Sequence, residues 1–320
     1  MIRTLLPSVA RALSALAIAT CSAAALAAFP DGRAVELVVP WPAGQEADIM
    51  GRALSTSLSK RLGTTVQVIN KPGAGGVPGT AELVRAKPDG HTIGFLSIGP
   101  VVSQPIAGNA PYKATDLEPI GLVSASAFVL AVKADGPFKT IADLEAQAKT
   151  RPVIVGNFGP AAVPTQVVHR MARAKGWQVK PITFPAAGWA QLAAGDAEVV
   201  TAPFNTIAGQ LKSGQARALV VFGKERIAAL PDTPTLREAG YGFDALVWVG
   251  FFAPKGTPAP VLEQLGKAVR ESLKDPEIVQ LAARINVPLF FMDPKDTAEQ
   301  LRDDDASLRP LMDSLGLAKK

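Results

Sequence analysis

The chain contains almost no cysteine or histidine, and this scarcity excludes several kinds of chemistry. Cys21 is its only cysteine, and His91 and His169 are its only histidines. An internal disulfide is therefore impossible, and no cluster of His, Asp and Glu has the spacing of a metal site. We expect no metal or cofactor, a surface or half-buried His91 and an exposed His169. The Gly-x-Ser-x-Gly motif of many hydrolases is missing too. Paired carboxylates stay open as hydrolytic groups, but no feature of the sequence selects them.

The chain also lacks a strong charge of either sign and has few aromatic residues. It carries 33 Lys and Arg against 28 Asp and Glu, and aromatic residues make up 6%. No basic run is interleaved with aromatic side chains, as a nucleic-acid surface would require, so we expect no nucleic-acid partner. The acidic run Asp303-Asp304-Asp305 is interpreted as a solvated helix face.

The N-terminus has the pattern of a cleavable secretory signal peptide. Arg3 and Arg11 precede a short apolar run at residues 12–19, and Ala25-Leu26-Ala27 offers a small-x-small cleavage site. The apolar run is shorter than the ~20 residues that span a membrane. We predict a signal peptide over residues 1–27 and a periplasmic product without cysteine. Lipidation of Cys21 stays open, although the preceding Thr20 is unusual for a lipoprotein signal.

Residues 70–80 form a glycine-rich segment that resembles a phosphate-binding loop. A nucleotide P-loop continues from its last glycine with Lys and then Ser or Thr, whereas Gly79 is followed by Thr80-Ala81. The spacing of Gly73, Gly75 and Gly79 is one residue too long for a dinucleotide fingerprint. We interpret the segment as a tight turn that leads into a helix.

Hydrophobic patterns alternate between strands and helices along the chain. The predicted strands cover residues 35–39, 66–69, 92–96, 120–123, 128–132, 153–155, 180–184, 198–202, 216–222 and 247–253. The predicted helices cover residues 48–62, with Asp48 as N-cap, and 80–86, 141–149, 165–175, 258–273, 276–284 and 294–315. This alternation favours an α/β fold in two domains, with sheets covered by helices.

Several predicted strands end in small or glycine-rich loops that open helices, at residues 41–48, 73–80, 156–165 and 184–189. In open α/β folds, ligands lie beyond the carboxyl ends of the strands. Helix N-termini at such places favour a carboxylate or a phosphate. The alternative is that these loops are ordinary tight turns.

Five segments together resemble one family. They are residues 44–49, 70–80, 87–92, 230–236 and 248–258, in that order along the chain. They are similar to the Bug-type solute receptors of tripartite tricarboxylate transporters, and the resemblance covers essentially the whole mature chain. It implies a two-lobed periplasmic-binding-protein fold of the Venus-flytrap type II kind, each lobe a mixed sheet flanked by helices. Lobe one would hold residues 28–126 and 248–320, lobe two would hold residues 127–247, and the crossover strands would lie near Val123 and Trp248.

The resemblance also implies where a ligand, usually a small carboxylate, would bind. It would lie in the cleft between the lobes, reached by the loop after the first strand and the loop before the helix at Thr165. The candidate contacts, taken from these loops and from the strand ends beside them, are Trp41, Gly44, Gln45, Glu46, Asp48, Ser97, Asn157, Phe158, Gly159, Thr165, Pro185, Ala186, Ala202 and Pro203. No catalytic residue is assigned.

The chain departs from the family pattern in these loops. Gln45, Glu46 and Ala47 replace residues that are usually Gly, Ser or Thr, Pro185-Ala186 replaces Tyr-Lys-Gly, and Ala202-Pro203 replaces Asp-Asn. If Glu46 faces the cleft, it would repel an anion at ~4 Å by about 4 kcal/mol before relaxation. The ligand would then be neutral, zwitterionic or cationic rather than a tricarboxylate.

The leading hypothesis is a monomeric periplasmic receptor that captures a small organic acid and delivers it to the membrane subunits of a transporter. It would close its two lobes around the ligand and perform no chemistry. A receptor that presents its ligand to a signalling partner stays open, because the sequence does not separate it from a transport receptor. A periplasmic hydrolase, with a Ser or Asp set against His169, is the third alternative.

Overall fold

Eleven strands and nine longer α-helices make up the computed structural model, which describes residues 29–184 and 187–318. The strands are β1 (Val35–Val39), β2 (Val66–Asn70), β3 (Thr92–Ser97), β4 (Leu117–Ser126), β5 (Phe128–Lys133), β6 (Val153–Asn157), β7 (Val179–Thr183), β8 (Val199–Pro203), β9 (Ala216–Phe222), β10 (Val247–Pro254) and β11 (Leu289–Met292). Most are rich in Val, Ile, Leu and Phe, which fit a pleated and half-buried surface.

Local signals set the ends of most helices. The helices are α1 (Glu46–Leu62), α2 (Val77–Arg85), α3 (Ile141–Thr150), α4 (Val163–Lys175), α5 (Trp189–Ala194), α6 (Phe204–Lys212), α7 (Ala259–Ser272), α8 (Pro276–Arg284) and α9 (Pro294–Ser314). Thr140 caps α3 through a reciprocal pair of bonds with Asp143, and Asp293 accepts the Asp296 N–H at the start of α9. Gly63 and Gly176 end α1 and α4 in the left-handed conformation.

The strands form two mixed sheets, which we use to define two lobes. Lobe one is built on a six-stranded sheet of order β11-β4-β10-β3-β1-β2, and lobe two on a five-stranded sheet of order β7-β6-β8-β5-β9. In each sheet, parallel pairs such as β1 with β2 and β6 with β7 stand beside antiparallel pairs such as β10 with β4 and β5 with β8. The predicted architecture of two helix-flanked mixed sheets is confirmed.

The chain passes between the sheets twice. Ala127 alone separates β4 in lobe one from β5 in lobe two, and residues 223–246 lead from β9 back to β10. β10 pairs with β4 over its whole length, with Val247 opposite Ser126. Every residue of β10 is buried. The two crossings therefore meet in one buried ladder next to the space between the lobes.

The glycine-rich segment after β2 is a packing element. It forms a short 3-10 turn at Ala74–Gly76 and then the helix α2. A Cβ on Gly76 would lie 3.1 Å from Pro100, and one on Gly79 would lie 3.0 Å from the Lys71 carbonyl oxygen. Gly76 also has a φ of +90°, which side chains disfavour. The glycines thus let α2 approach the ends of β1 and β3 closely.

Some predicted elements differ from the structure. Helix α1 begins at Glu46, so Asp48 lies inside its first turn and is not the N-cap. Strand β11, helix α6 and the π-helical turn Gly99–Ser103 were not predicted. Most other bounds differ by one to three residues, which is the usual uncertainty of helix and strand ends.

The last helix joins the two lobes, and its acidic run is not simply a solvated face. The Arg170 and Arg173 guanidinium groups on α4 donate to Ser307 at 3.1 Å and to Ser314 at 2.8 Å on α9. Asp304 accepts the Nε1–H of the fully buried Trp248 at 2.7 Å and an amide N–H of Gln300 at 3.0 Å. The carboxylate is thereby anchored to the crossover strand β10.

Replacing Asp304 by Asn is expected to stabilise the protein near neutral pH. Burial raises the pKa of Asp304 from 3.8 to about 6, although the bonds from Trp248 and Gln300 oppose this. A carboxyl whose pKa is raised on folding stabilises the fold while protonated, so this contribution is complete below about pH 4 and is lost as the pH rises through 6. The variant should therefore gain roughly 2 kcal/mol in free energy of unfolding at pH 8 and little at pH 4.

Urea unfolding at pH 4 and pH 8 measures this difference. Asp313→Asn, at an exposed position of the same helix, serves as the matched control and should change stability little at either pH. A D304N variant less stable than the parent at pH 8 would contradict the expected effect.

Candidate functional site at the interlobe cleft

The loop between β1 and α1 is held in shape by Asp48. This side chain is 3% exposed. One of its oxygens accepts the Gly44 N–H at 2.8 Å and the Arg52 Nε–H at 3.0 Å, and the other accepts the Asn70 amide at 2.9 Å. Arg52 also forms an ion pair with it at 2.9 Å. Burial alone would raise the pKa of Asp48, but these bonds together hold it below its ordinary value.

Glu46, the first residue of α1, faces lobe two. Its Oε1 accepts the Ser126 hydroxyl at 2.6 Å, and its Oε2 accepts the Asn205 amide at 3.0 Å. Ser126 ends β4 at the crossover, and Asn205 lies in the first turn of α6 in lobe two. Burial raises the pKa of Glu46, with the bonds from Ser126 and Asn205 opposing the rise. A carboxylate therefore bridges the lobes at a point where two helix N-termini meet.

On the side of lobe two, Asn157 organises the loop between β6 and α4. This side chain is 2% exposed, and its Oδ1 accepts the Gly159 N–H at 2.8 Å. Its Nδ2 donates to the Val155 carbonyl at 3.3 Å. Phe158 is half-buried and meets Phe128 edge-on at 6.1 Å between ring centroids. The turn leads directly to the N-terminus of α4.

Four buried polar atoms near these strand ends have no hydrogen-bond partner among the described residues. They are Thr165 Oγ1, Gln166 Oε1, Thr201 Oγ1 and Asn205 Oδ1. Thr165 and Gln166 lie in the first turn of α4, Asn205 in that of α6, and Thr201 in β8 one rung beyond the pair Gly156–Val200. Buried polar groups normally have partners. Among the described residues, Thr80 Oγ1, Ser103 Oγ and Trp177 Nε1 also lack one, but the four atoms here lie together at two helix starts and on β8, which makes them candidates for ligand contact.

The remaining predicted contacts have different surroundings. Gly44 and Gln45 are exposed, Ser97 is buried at the end of β3, and Pro203 is half-buried just before α6. The side chain of Ala202 lies in a core cluster of lobe two, and Trp41 packs against the core of lobe one. Pro185 and Ala186 lie outside the described residues, as does the predicted signal peptide. Ser126, Gln166, Thr201 and Asn205 were not predicted.

His169 does not have the surroundings of a catalytic base. It is half-buried rather than exposed, and burial lowers its pKa with no hydrogen bond or charge offsetting the effect. It lines a cavity of about 10 Å³ together with Asn157 and Thr165, which is room for one water molecule. His91 is 9% exposed and lies against the Ala34 carbonyl at 3.2 Å. Among the described residues, no group of three or more His, Cys, Asp or Glu could hold a metal ion.

Comparisons with known proteins agree on one family. A family model described as "Tripartite tricarboxylate transporter family receptor" matches residues 50–317. A curated relative, the UPF0065 protein in the tcbD-tcbE intergenic region of Pseudomonas sp. (strain P51), is 32% identical over 283 residues, which are 85% of this chain and 84% of that protein.

Two solved structures have the same fold. A TctC solute binding protein from Polaromonas, without ligand, is 27% identical with a TM-score of 0.77, over 89% of this chain and 99% of that chain. The periplasmic binding protein BugD is 29% identical with a TM-score of 0.74, over 91% of this chain and 100% of that chain. The predicted two-lobed fold class is thus confirmed. In the part of the chain that the structure describes, no helix meets the length and hydropathy needed to cross a bilayer.

Replacing Asp48 by Ala is expected to destabilise lobe one. The change removes the side-chain acceptor of the Gly44 N–H and one of the acceptors of Asn70 and of Arg52, which should lower the free energy of unfolding by roughly 2 kcal/mol at pH 7. Because the pKa of Asp48 is lowered on folding, the difference should shrink as the pH falls below about 4.

Urea unfolding of both proteins at several pH values tests the role of Asp48. Glu82→Ala is the control, since Glu82 forms only an exposed ion pair with Lys71 at 3.3 Å and should contribute less than about 1 kcal/mol. Equal effects of the two substitutions at pH 7 would refute the organising role of Asp48.

Proposed function

The chain belongs to the tripartite tricarboxylate transporter receptor family, as its sequence motifs predicted, and we propose that it is a periplasmic receptor for a small organic acid. The family consists of solute-binding receptors rather than enzymes. The ligand lies between the lobes, bounded by the β1–α1 loop of lobe one and by the N-terminal turns of α4 and α6 in lobe two. The loop residues that the sequence predicted to contact a ligand are proposed as its contacts here.

The observation that carries the proposal is the group of unpartnered hydroxyls in lobe two. Thr165 is 2% exposed and Thr201 is fully buried, and neither hydroxyl has a protein partner. A hydroxyl can donate to a carboxylate oxygen. The N-terminus of α4 adds free N–H groups and a partial positive charge, which favour an anion. A ligand carboxylate there would satisfy groups that the protein itself leaves unpaired.

Binding works by closure of the two lobes. The short connection through Ala127 is compatible with small rotations about the β4–β10 ladder. The Glu46–Asn205 hydrogen bond joins the lobes in the arrangement described and would break as they open. Ligand contacts made from both sides then favour the closed arrangement over the open one. No reaction step is required, because the unpartnered groups bind and orient without a nucleophile or base.

The protein binds its ligand and does not convert it chemically. The isolation of His169 from any charged or hydrogen-bonding partner among the described residues supports this view. Incubating the protein with a bound organic acid and analysing the acid by mass spectrometry tests it. Recovery of a chemically altered acid would overturn the non-enzymatic part of the proposal.

The proposed partners of the receptor are the membrane subunits of a tripartite tricarboxylate-type transporter. The receptor would be exported by means of its N-terminal signal peptide and would act as a monomer. The family assignment supports this partner. A pull-down of membrane proteins with the ligand-loaded receptor distinguishes transporter subunits from a signalling kinase. Mass photometry of the purified protein reports whether it is a monomer.

A thermal-shift screen of organic acids, followed by calorimetry, identifies the ligand class. Mass spectrometry of the acid released from freshly purified protein identifies the natural ligand. A ligand at 100 times its dissociation constant should stabilise the fold by about 2.7 kcal/mol, which a melting curve detects. Absence of any binding acid in a broad screen would refute the proposed function.

The variant Thr165→Val is expected to weaken ligand binding about tenfold while leaving the stability of the free protein nearly unchanged. The substitution removes a hydroxyl that has no protein partner, so folding loses no bond, whereas a bound carboxylate loses a donor worth roughly 1.4 kcal/mol. Calorimetry with the acid found in the screen and urea unfolding measure the two quantities.

Thr165→Ser keeps the hydroxyl and should keep the affinity within about twofold, by the same hydrogen-bond argument. If T165V instead lowers stability and leaves affinity unchanged, the Thr165 hydroxyl is hydrogen-bonded to a structural water in the small cavity beside Asn157 and His169. In that case Thr165 would not contact the ligand.

A further inference from the structure

The carboxylate of Glu46 lies where a ligand carboxylate would otherwise bridge the lobes. It accepts one hydrogen bond from Ser126 at the crossover, at 2.6 Å, and one from Asn205 in lobe two, at 3.0 Å. These are the kinds of donor that hold an organic acid in a cleft. Because Glu46 uses both of them, a second carboxylate of a ligand would find these donors occupied and a negative charge beside it.

The surroundings of Glu46 offer acceptors but no cation. Both of its hydrogen-bond partners are neutral, and among the described residues no Lys, Arg or His forms an ion pair with it. The Oδ1 of Asn205, on the same amide group that donates to Glu46, is buried and has no partner. Glu46 is half-buried, and a partly desolvated carboxylate without a cation partner costs free energy, as does a buried amide oxygen without a donor. Apart from the backbone N–H groups at the starts of α1 and α6, the cluster therefore has no positive group, and its two side-chain donors are already in use.

An ammonium group has what this cluster lacks. It carries one positive charge and three N–H donors and has no acceptor. It could donate to the free lone pairs of the Glu46 carboxylate and to Asn205 Oδ1, while Ser126 and the Asn205 amide keep their bonds. Glu46 lies on lobe one and Asn205 on lobe two, so such a group would be held from both sides as the lobes close.

We propose that Glu46 and Asn205 form a binding position for the ammonium end of a zwitterionic organic acid, and that Glu46 is the specificity-determining residue that disfavours dicarboxylates. This inference rests on the proposed receptor function and names its ligand class. The carboxylate end of the same molecule binds at the hydroxyls and the helix N-terminus of lobe two.

Pairs of compounds that differ only at one end test the proposal. Glutarate and 4-aminobutyrate both contain three methylene groups, but 4-aminobutyrate has an ammonium group in place of one carboxylate. Succinate and β-alanine form the matching shorter pair, and adipate and 5-aminopentanoate form the longer pair. Calorimetry is expected to give the parent protein at least a tenfold preference for the amino acid in the pair of best-fitting length, which is about 1.4 kcal/mol.

The isosteric variant Glu46→Gln removes the charge and keeps the shape of the side chain. It should lose the preference, with weaker binding of the amino acid and stronger binding of the dicarboxylate. Ser126→Ala removes a neutral donor and leaves the carboxylate, so it should keep the preference for the amino acid even if it weakens both affinities. Glu82→Gln, at the exposed pair with Lys71, is the matched control and should behave as the parent does.

Two results would separate this inference from the proposed function. If the parent binds the dicarboxylate more tightly and E46Q leaves the ratio unchanged, the ammonium position is refuted while the receptor function stands. The same conclusion follows if S126A abolishes the preference as fully as E46Q does. If neither these six compounds nor any acid of the wider screen binds, the receptor function itself fails.

Discussion

The antiparallel ladder between β4 and β10 is the constraint on which the two lobes and their cleft depend. The chain leaves lobe one at the end of β4 and returns at the start of β10, and Ser126 pairs with Val247 at this last rung. The hydroxyl of Ser126 then holds Glu46, and Trp248 holds Asp304 of the last helix. The crossover between the sheets, Glu46 and the C-terminal helix are therefore held by neighbouring residues of one pair of strands.

Much of the architecture follows from local sequence. Val-rich runs such as Val35–Val39 predict strands, and proline and aspartate at helix starts predict α8 and α9 closely. The misses have a physical cause. The short run Leu289–Met292 becomes a strand because β4 offers it an edge. Helix α6 begins directly after Pro203 without a capping side chain, so no start signal marks it in the sequence. Tertiary pairing decides such segments, not propensity.

The site was harder to predict than the fold. The sequence indicated the two loops and Glu46, but Ser126 and Asn205 lie 80 and 159 residues away from Glu46 along the chain. No periodicity links residues across such distances. Asp48 shows the reverse problem, because an acidic residue next to a binding loop suggests ligand contact, whereas its bonds here run to Gly44 of the loop, to Arg52 of α1 and to Asn70 at the end of β2. Only the packing of the lobes distinguishes a side chain that faces the cleft from one that supports it.

A receptor discriminates most strongly between ligands through polar or charged groups that a wrong ligand leaves without a hydrogen-bond partner or next to a like charge. The apolar parts of organic acids differ by a few methylene groups, each worth about 1 kcal/mol, whereas a buried charge without a partner is worth several times more. Glu46 places a half-buried charge with no cation partner at a point where the lobes touch, so under the proposal the penalty of a mismatched ligand acts on closure itself. If Glu46 has the proposed role, the carboxylate that disfavours anions is also one of the groups that join the lobes, so ligand charge and lobe closure would be coupled through one side chain.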